Sequence, residues 1–115
     1  MKDQALYNKL SRHLLTQMAT SLNLDKTHKT LYHGPKNLKS PAGVFIPKSK
    51  YKRSYESKDL SLLARGVLKD QFKDLNLDII DAFETTYWMH KPDQWAFSVY
   101  VIACLFNLKQ YKCGT

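Results

Sequence analysis

The stretch from Tyr32 to Pro47, YHGPKNLKSPAGVFIP, constrains the fold more than any other part of the chain, because it holds three of the four prolines and two of the four glycines. A continuous helix cannot pass through it, since proline lacks an amide hydrogen and its ring clashes with the preceding turn. Gly34-Pro35 is a turn signal: glycine reaches positive φ without steric cost, and proline presets the φ of the first central turn position. Asn37 offers a second left-handed corner. Val44, Phe45 and Ile46, bounded by Gly43 and Pro47, are too few for a helix and predict one strand or a buried extended segment. A turn-rich knot packed onto helices is the expected result.

The flanking sequence is helical in pattern. Leu6, Leu10, Leu14, Met18 and Leu22 recur every four residues, which predicts an amphipathic helix over residues 3–22 with Lys2, Lys9, Arg12 and Gln17 on its other face and His13 at the edge of the stripe. Residues 23–31 are polar and read as a connector. Leu60, Leu63, Ala64, Val67, Leu68 and Phe72 predict a second helix over 59–73, capped by Ser57 or Asp59, with Gly66 as a close-packing point or a weak spot. Residues 77–90 predict a third, with Leu77, Ile80, Phe83, Tyr87 and Trp88 on one side and Asp78, Asp81 and Glu84 on another. Lys91-Pro92-Asp93 breaks it, with Asp93 as cap for a last helix over 94–109 that is apolar nearly all round. The expected fold is therefore mainly α: a four-helix single domain over residues 1–115, with an irregular or short β-hairpin segment between helices 1 and 2. Leu10, Leu14, Phe45, Ile46, Leu63, Phe83, Trp95, Val99, Ile102 and Phe106 are its expected core.

Composition places the chain among globular proteins, at 43% hydrophobic and 24% charged residues. No apolar run is long enough to span a membrane, and MKDQALYNKL lacks the apolar core of a signal peptide, so a cytoplasmic protein of a bacterium or an infected host cell is expected. Cys104 and Cys113 read as a reduced pair. The net charge of +8 is uneven: residues 1–58 hold twelve Lys/Arg against three Asp/Glu, giving +9, and residues 59–115 hold six against seven, giving −1. One side of the molecule should attract an acidic partner.

The segment Tyr32 to Ser57 resembles that of small bacterial and phage proteins in which Y-R-G-P-x-G-x-K-C-A-x-G-x-L-I-P-D-x-x-Y-x-P-x-M-E-G follows one N-terminal helix. Tyr32, Gly34, Pro35, Lys39, Gly43, Ile46, Pro47, Tyr51 and Glu56 fall on matching positions without a gap. His33 replaces the pattern's arginine, Ser40 its cysteine, Pro41 its alanine, Lys48 its aspartate, Arg53 its second proline and Ser57 its last glycine. The resemblance implies a shared fold for the middle of the chain and a phage or mobile-element setting. It carries no established activity.

The sequence contains no glycine-rich phosphate loop, nucleophile elbow, metal-binding histidine pair or dinucleotide fingerprint, and neither a cofactor nor a metal is expected. Asp78, Asp81 and His90 lack the second histidine a metal site would want. An acid–base use of His13, His33 and Lys39, or a pairing of His28 with His33, requires those groups to meet at one phosphate. Two non-enzymatic readings carry more. The first is an accessory or inhibitor protein of immunity type that modulates an acidic protein partner through Lys36, Lys39, Lys48, Lys50, Tyr51, Lys52, Arg53 and Tyr55. The second is nucleic-acid binding by Lys48, Lys50, Lys52 and Arg53, with Tyr51 and Tyr55 stacking on bases.

Overall fold

Residues four apart return to one side of a helix that has roughly 3.6 residues per turn, and Leu6, Leu10 and Leu14 accordingly form the fully buried face of α1, Asp3–Gln17. The computed structural model describes residues 1–18, 31–34 and 38–112. α1 stops where Met18 takes a left-handed φ of 49° and bonds its amide to the Leu14 carbonyl. The expected helix end at residue 22 and most of the 23–31 connector lie outside the described residues. Four further helices follow: α2, Leu60–Arg65; α3, Lys69–Phe72; α4, Leu77–Met89; and α5, Trp95–Leu105.

Two expectations about these elements need correction. The helix predicted over 59–73 is broken at Gly66, where φ −117° and ψ −114° leave the helical region and the Leu68 amide closes onto the Leu63 carbonyl at 2.9 Å. Glycine is a weak helix former, and the break lets Leu63, Leu68 and Phe72 all stay buried while Val67 turns outward. Among the described residues the α-helices thus number five. The hairpin, given as the alternative to an irregular segment, does not form among the described residues either, where Ala42–Phe45 and Arg53–Ser57 are 3-10 turns and the β pairing is one isolated bridge between His33 and Lys39.

α1, α4 and α5 pack against one another and enclose the core. α4 supplies Ile79, Ile80, Phe83 and Tyr87, all fully buried, and its first turn is capped by Asn76, whose side chain accepts from the Asp78 amide at 3.0 Å. Tyr87 stacks on Trp95 at 5.3 Å between ring centroids, and the Tyr7 hydroxyl donates to the Val99 carbonyl at 2.8 Å, tying α1 to α5. Most of the expected core is buried, although Phe45 and Phe106 are half-buried and Trp88 points into solvent at 62% exposure. Neither expected aspartate cap forms. Asp59 precedes α2 without a side-chain bond, and α5 instead grows out of a 3-10 turn, Pro92–Gln94.

Backbone contact sets the position of the irregular segment. A Cβ on Gly43 would lie 2.0 Å from the Tyr32 carbonyl oxygen, so the chain can pass there only as glycine. Gly43→Ala should lower the urea midpoint at unchanged slope, corresponding to a loss of roughly 1–3 kcal/mol or more for forced overpacking. The opposite effect is expected at Ser11, fully buried in α1 with a hydroxyl that has no hydrogen-bond partner among the described residues. Ser11→Ala removes a desolvated polar group and should raise stability by about 1 kcal/mol in the same measurement.

Candidate functional site: a basic groove beside the first helix

The face of α1 turned away from its leucines carries Asn8, Lys9, Arg12, His13 and Thr16, spaced so that they form one polar strip. The segment 38–40 is laid along this strip by backbone hydrogen bonds. The Lys39 carbonyl accepts from His13 Nε2 at 2.8 Å and from Gln17 Nε2 at 3.0 Å, and the Lys39 amide donates to Gln17 Oε1 at 3.0 Å. A carbonyl can only accept, so His13 carries a proton on Nε2. Burial lowers the His13 pKa, the Lys39 charge lowers it further, and the bond to the Lys39 carbonyl opposes both.

Between this strip and the far wall, formed by His33, Leu38, Val44 and Lys48, runs an open groove of about 1090 Å³. Lys9, Arg12, Lys39 and Lys48 converge on it with the imidazoles of His13 and His33. Among the described residues, no Asp or Glu lines it. A concave surface bearing one sign of charge focuses its field and concentrates counter-ions. Lys9 is further placed by its ammonium, 5.5 Å from the centre of the Phe45 ring.

Two carboxylates hold the backbone that carries several of the groove's lining residues. Glu56 accepts from the Tyr32 amide at 2.8 Å, from the His33 amide at 3.2 Å and from the Tyr51 hydroxyl. Glu84, on α4, accepts from the Ser40 hydroxyl and from the Ala42 amide, both at 2.6 Å. Burial pushes the Glu84 carboxyl up to about 7 against these two bonds, and the nearby charges of Asp81 and Glu56 push the same way. A perturbed carboxylate beside a serine hydroxyl invites a catalytic interpretation. Here the serine is 1% exposed, and neither residue lines the groove, so the pair is a structural tie.

The residues singled out from sequence divide into several groups. Lys39 and Lys48 line the groove, whereas Lys50, Lys52 and Arg53 are exposed outside its lining. Lys36 and His28 lie outside the described residues. Tyr55 is buried at 6% exposure, and Tyr51 is half-buried, its ring 4.4 Å from that of His33 and its hydroxyl engaged by Glu56. Both tyrosines therefore anchor the loop to the rest of the structure. His13, His33 and Lys39 do reach one groove. Lys9 and Arg12 are the contributors that the focus on residues 48–55 passed over, and their placement opposite the leucine stripe was the available signal.

Compared with protein-family models, curated proteins and solved structures, the chain matches none.

The raised Glu84 pKa has a consequence for stability. Its folded value of about 7 lies above the ordinary 4.5, so between these pH values the folded chain holds a proton that the unfolded chain has released. The stabilisation is complete below the lower value and is lost as pH rises through the upper one. In Glu84→Gln the amide oxygen can still accept from Ser40 and Ala42. The difference in unfolding free energy between the two proteins should then vary with pH across this window and level off on either side, as measured by urea titration at a series of pH values.

Proposed function

We propose that this chain is a small non-enzymatic accessory or inhibitor protein, of the kind found in phages and mobile elements, that acts in the cytoplasm by binding an acidic segment of another protein in the groove beside α1. The convergence of Lys9, Arg12, Lys39 and Lys48 on one concavity that no carboxylate lines among the described residues carries this reading. The groove is concave and its lining includes Ala5, Leu38 and Val44. That shape and chemistry suit an extended polypeptide in which acidic and apolar side chains mix. A duplex is read by an element that enters its groove, and a single strand wants aromatic platforms, which the packed rings of Tyr51 and Tyr55 do not supply. Among the described residues, no helix is long and apolar enough to cross a membrane.

Capture from the native cell, with and without nuclease treatment, tests the partner class. A nuclease-resistant protein partner is expected, and a nuclease-sensitive one would favour the nucleic-acid reading. Arg12→Ser with Lys48→Ser should leave the melting temperature nearly unchanged, because exposed charges contribute little to folding. Affinity for the captured partner should fall about tenfold or more, with a weaker salt dependence. Changing Lys50, Lys52 and Arg53 to serine, outside the groove lining, should do less. Equal losses from the two sets would move the site from the groove to the 48–53 loop.

A further inference from the structure

α5 contains no charged residue, yet only part of its circumference is buried. At roughly 100° per residue, Trp95, Val99, Ile102 and Ala103 turn to the core, whereas Phe97, Tyr100, Cys104 and Leu105 turn outward with half-buried Val101 among them. Phe97 and Leu105 are the most exposed large apolar side chains among the described residues, at 71% and 72%. Beside them, between α4 and α5, lies a groove of about 720 Å³ lined by Ala82, Thr85, Phe97, Val101 and Leu105, with Asp93 at its N-terminal end. An outward helix face this continuous in apolar character marks a contact surface.

We propose that this face joins two copies of the chain, with their α5 helices antiparallel. Charge argues for the site. Residues 1–58 carry +9, so two copies approaching through that half repel one another, while residues 59–115 carry −1 and α5 itself is neutral. Charge also sets the direction. Exposed Lys91 and Asp93 stand together at the N-terminal end of α5, and exposed Lys109 lies beyond its C-terminal end. A parallel pair would set the two Lys109 side chains together and align the helix dipoles, whereas an antiparallel pair separates these lysines, brings Lys109 toward the end that carries Asp93 and opposes the dipoles favourably. Shape agrees. A two-fold axis passing between Tyr100 and Val101 brings bulky Phe97 of one copy over small Cys104 of the other, as an isologous contact requires. The basic groove beside α1 takes no part, so this association stands or falls separately from partner binding.

Sedimentation equilibrium on the full chain carrying Cys113→Ser, which leaves Cys104 as its single thiol, tests the association. A dimer is expected below about 1 mM. Phe97→Asp should raise its dissociation constant at least tenfold while leaving the helical circular dichroism intact, because the altered side chain is exposed in the single copy. The register is tested by adding Phe97→Cys to the same background. Mild oxidation should then link that position to Cys104 of the second copy, and further replacement of Cys104 by serine should abolish the link. A monomer at every concentration up to that limit, or a dimer indifferent to Phe97→Asp and Leu105→Asp together, would overturn the proposal. Efficient oxidative linkage through Cys104 alone would overturn the antiparallel arrangement.

Discussion

A carboxylate on the central helix decides how the irregular part of this chain meets the regular part. Glu84 lies on α4 among the residues that build the core, and it receives both the Ser40 hydroxyl and the Ala42 amide. Taking a charge out of water is costly, and that cost is visible in its raised pKa. What the two bonds accomplish is positional: they hold the turn at 40–43 against α4, and from there Gly43 presses directly on the Tyr32 backbone. Segments far apart in sequence are thereby joined without a β-sheet. The groove inherits its wall from this arrangement, because Lys39 lies next to the tied turn and Lys48 only a few residues beyond it.

The helices were legible from spacing because burial of a helix face imposes a period that can be read residue by residue. Leu6, Leu10 and Leu14 on α1, and Ile80, Phe83 and Tyr87 on α4, obey it, and they are buried. Gly66 was recognisable as a weak point, but spacing alone could not show that the chain would break there. That outcome depends on where Leu68 finds a cavity to fill. Of the strand or buried extended segment expected at Val44–Ile46, the strand did not form for a related reason, although Ile46 is buried and extended: β-branched and aromatic residues favour a pleated surface only when another strand offers one. Here Glu84 takes the Ala42 amide and Gly43 abuts Tyr32, so the local backbone winds into a 3-10 turn.

The candidate site was half legible. Net charge pointed to the first half of the chain, and Lys39 and Lys48 were named within it. The groove could not be seen as a groove, because it depends on α1 lying beside a segment more than twenty residues later, with His13 and Gln17 grasping the Lys39 backbone. Such bonds depend on backbone atoms that every residue possesses, so side-chain identity gives no warning of them. The two tyrosines illustrate the converse. Interleaved with lysines they look like stacking surfaces, but one is buried and the other is held by Glu56.

These two kinds of residue, those that build the segment and those that charge it, are largely separate. Tyr32, Gly43, Tyr51 and Glu56 are each used internally: the Tyr32 amide and the Tyr51 hydroxyl bond to Glu56, while Gly43 admits the Tyr32 backbone. His33 and Lys48 line the groove, and Arg53 is exposed outside its lining. Ser40, which is buried, bonds to Glu84. Exposed charges can change with small effect on folding, whereas the glycine contact and the Glu56 bonds tolerate little. Substitutions along the groove can therefore alter its charge while the fold stays where Glu56, Glu84 and Gly43 hold it.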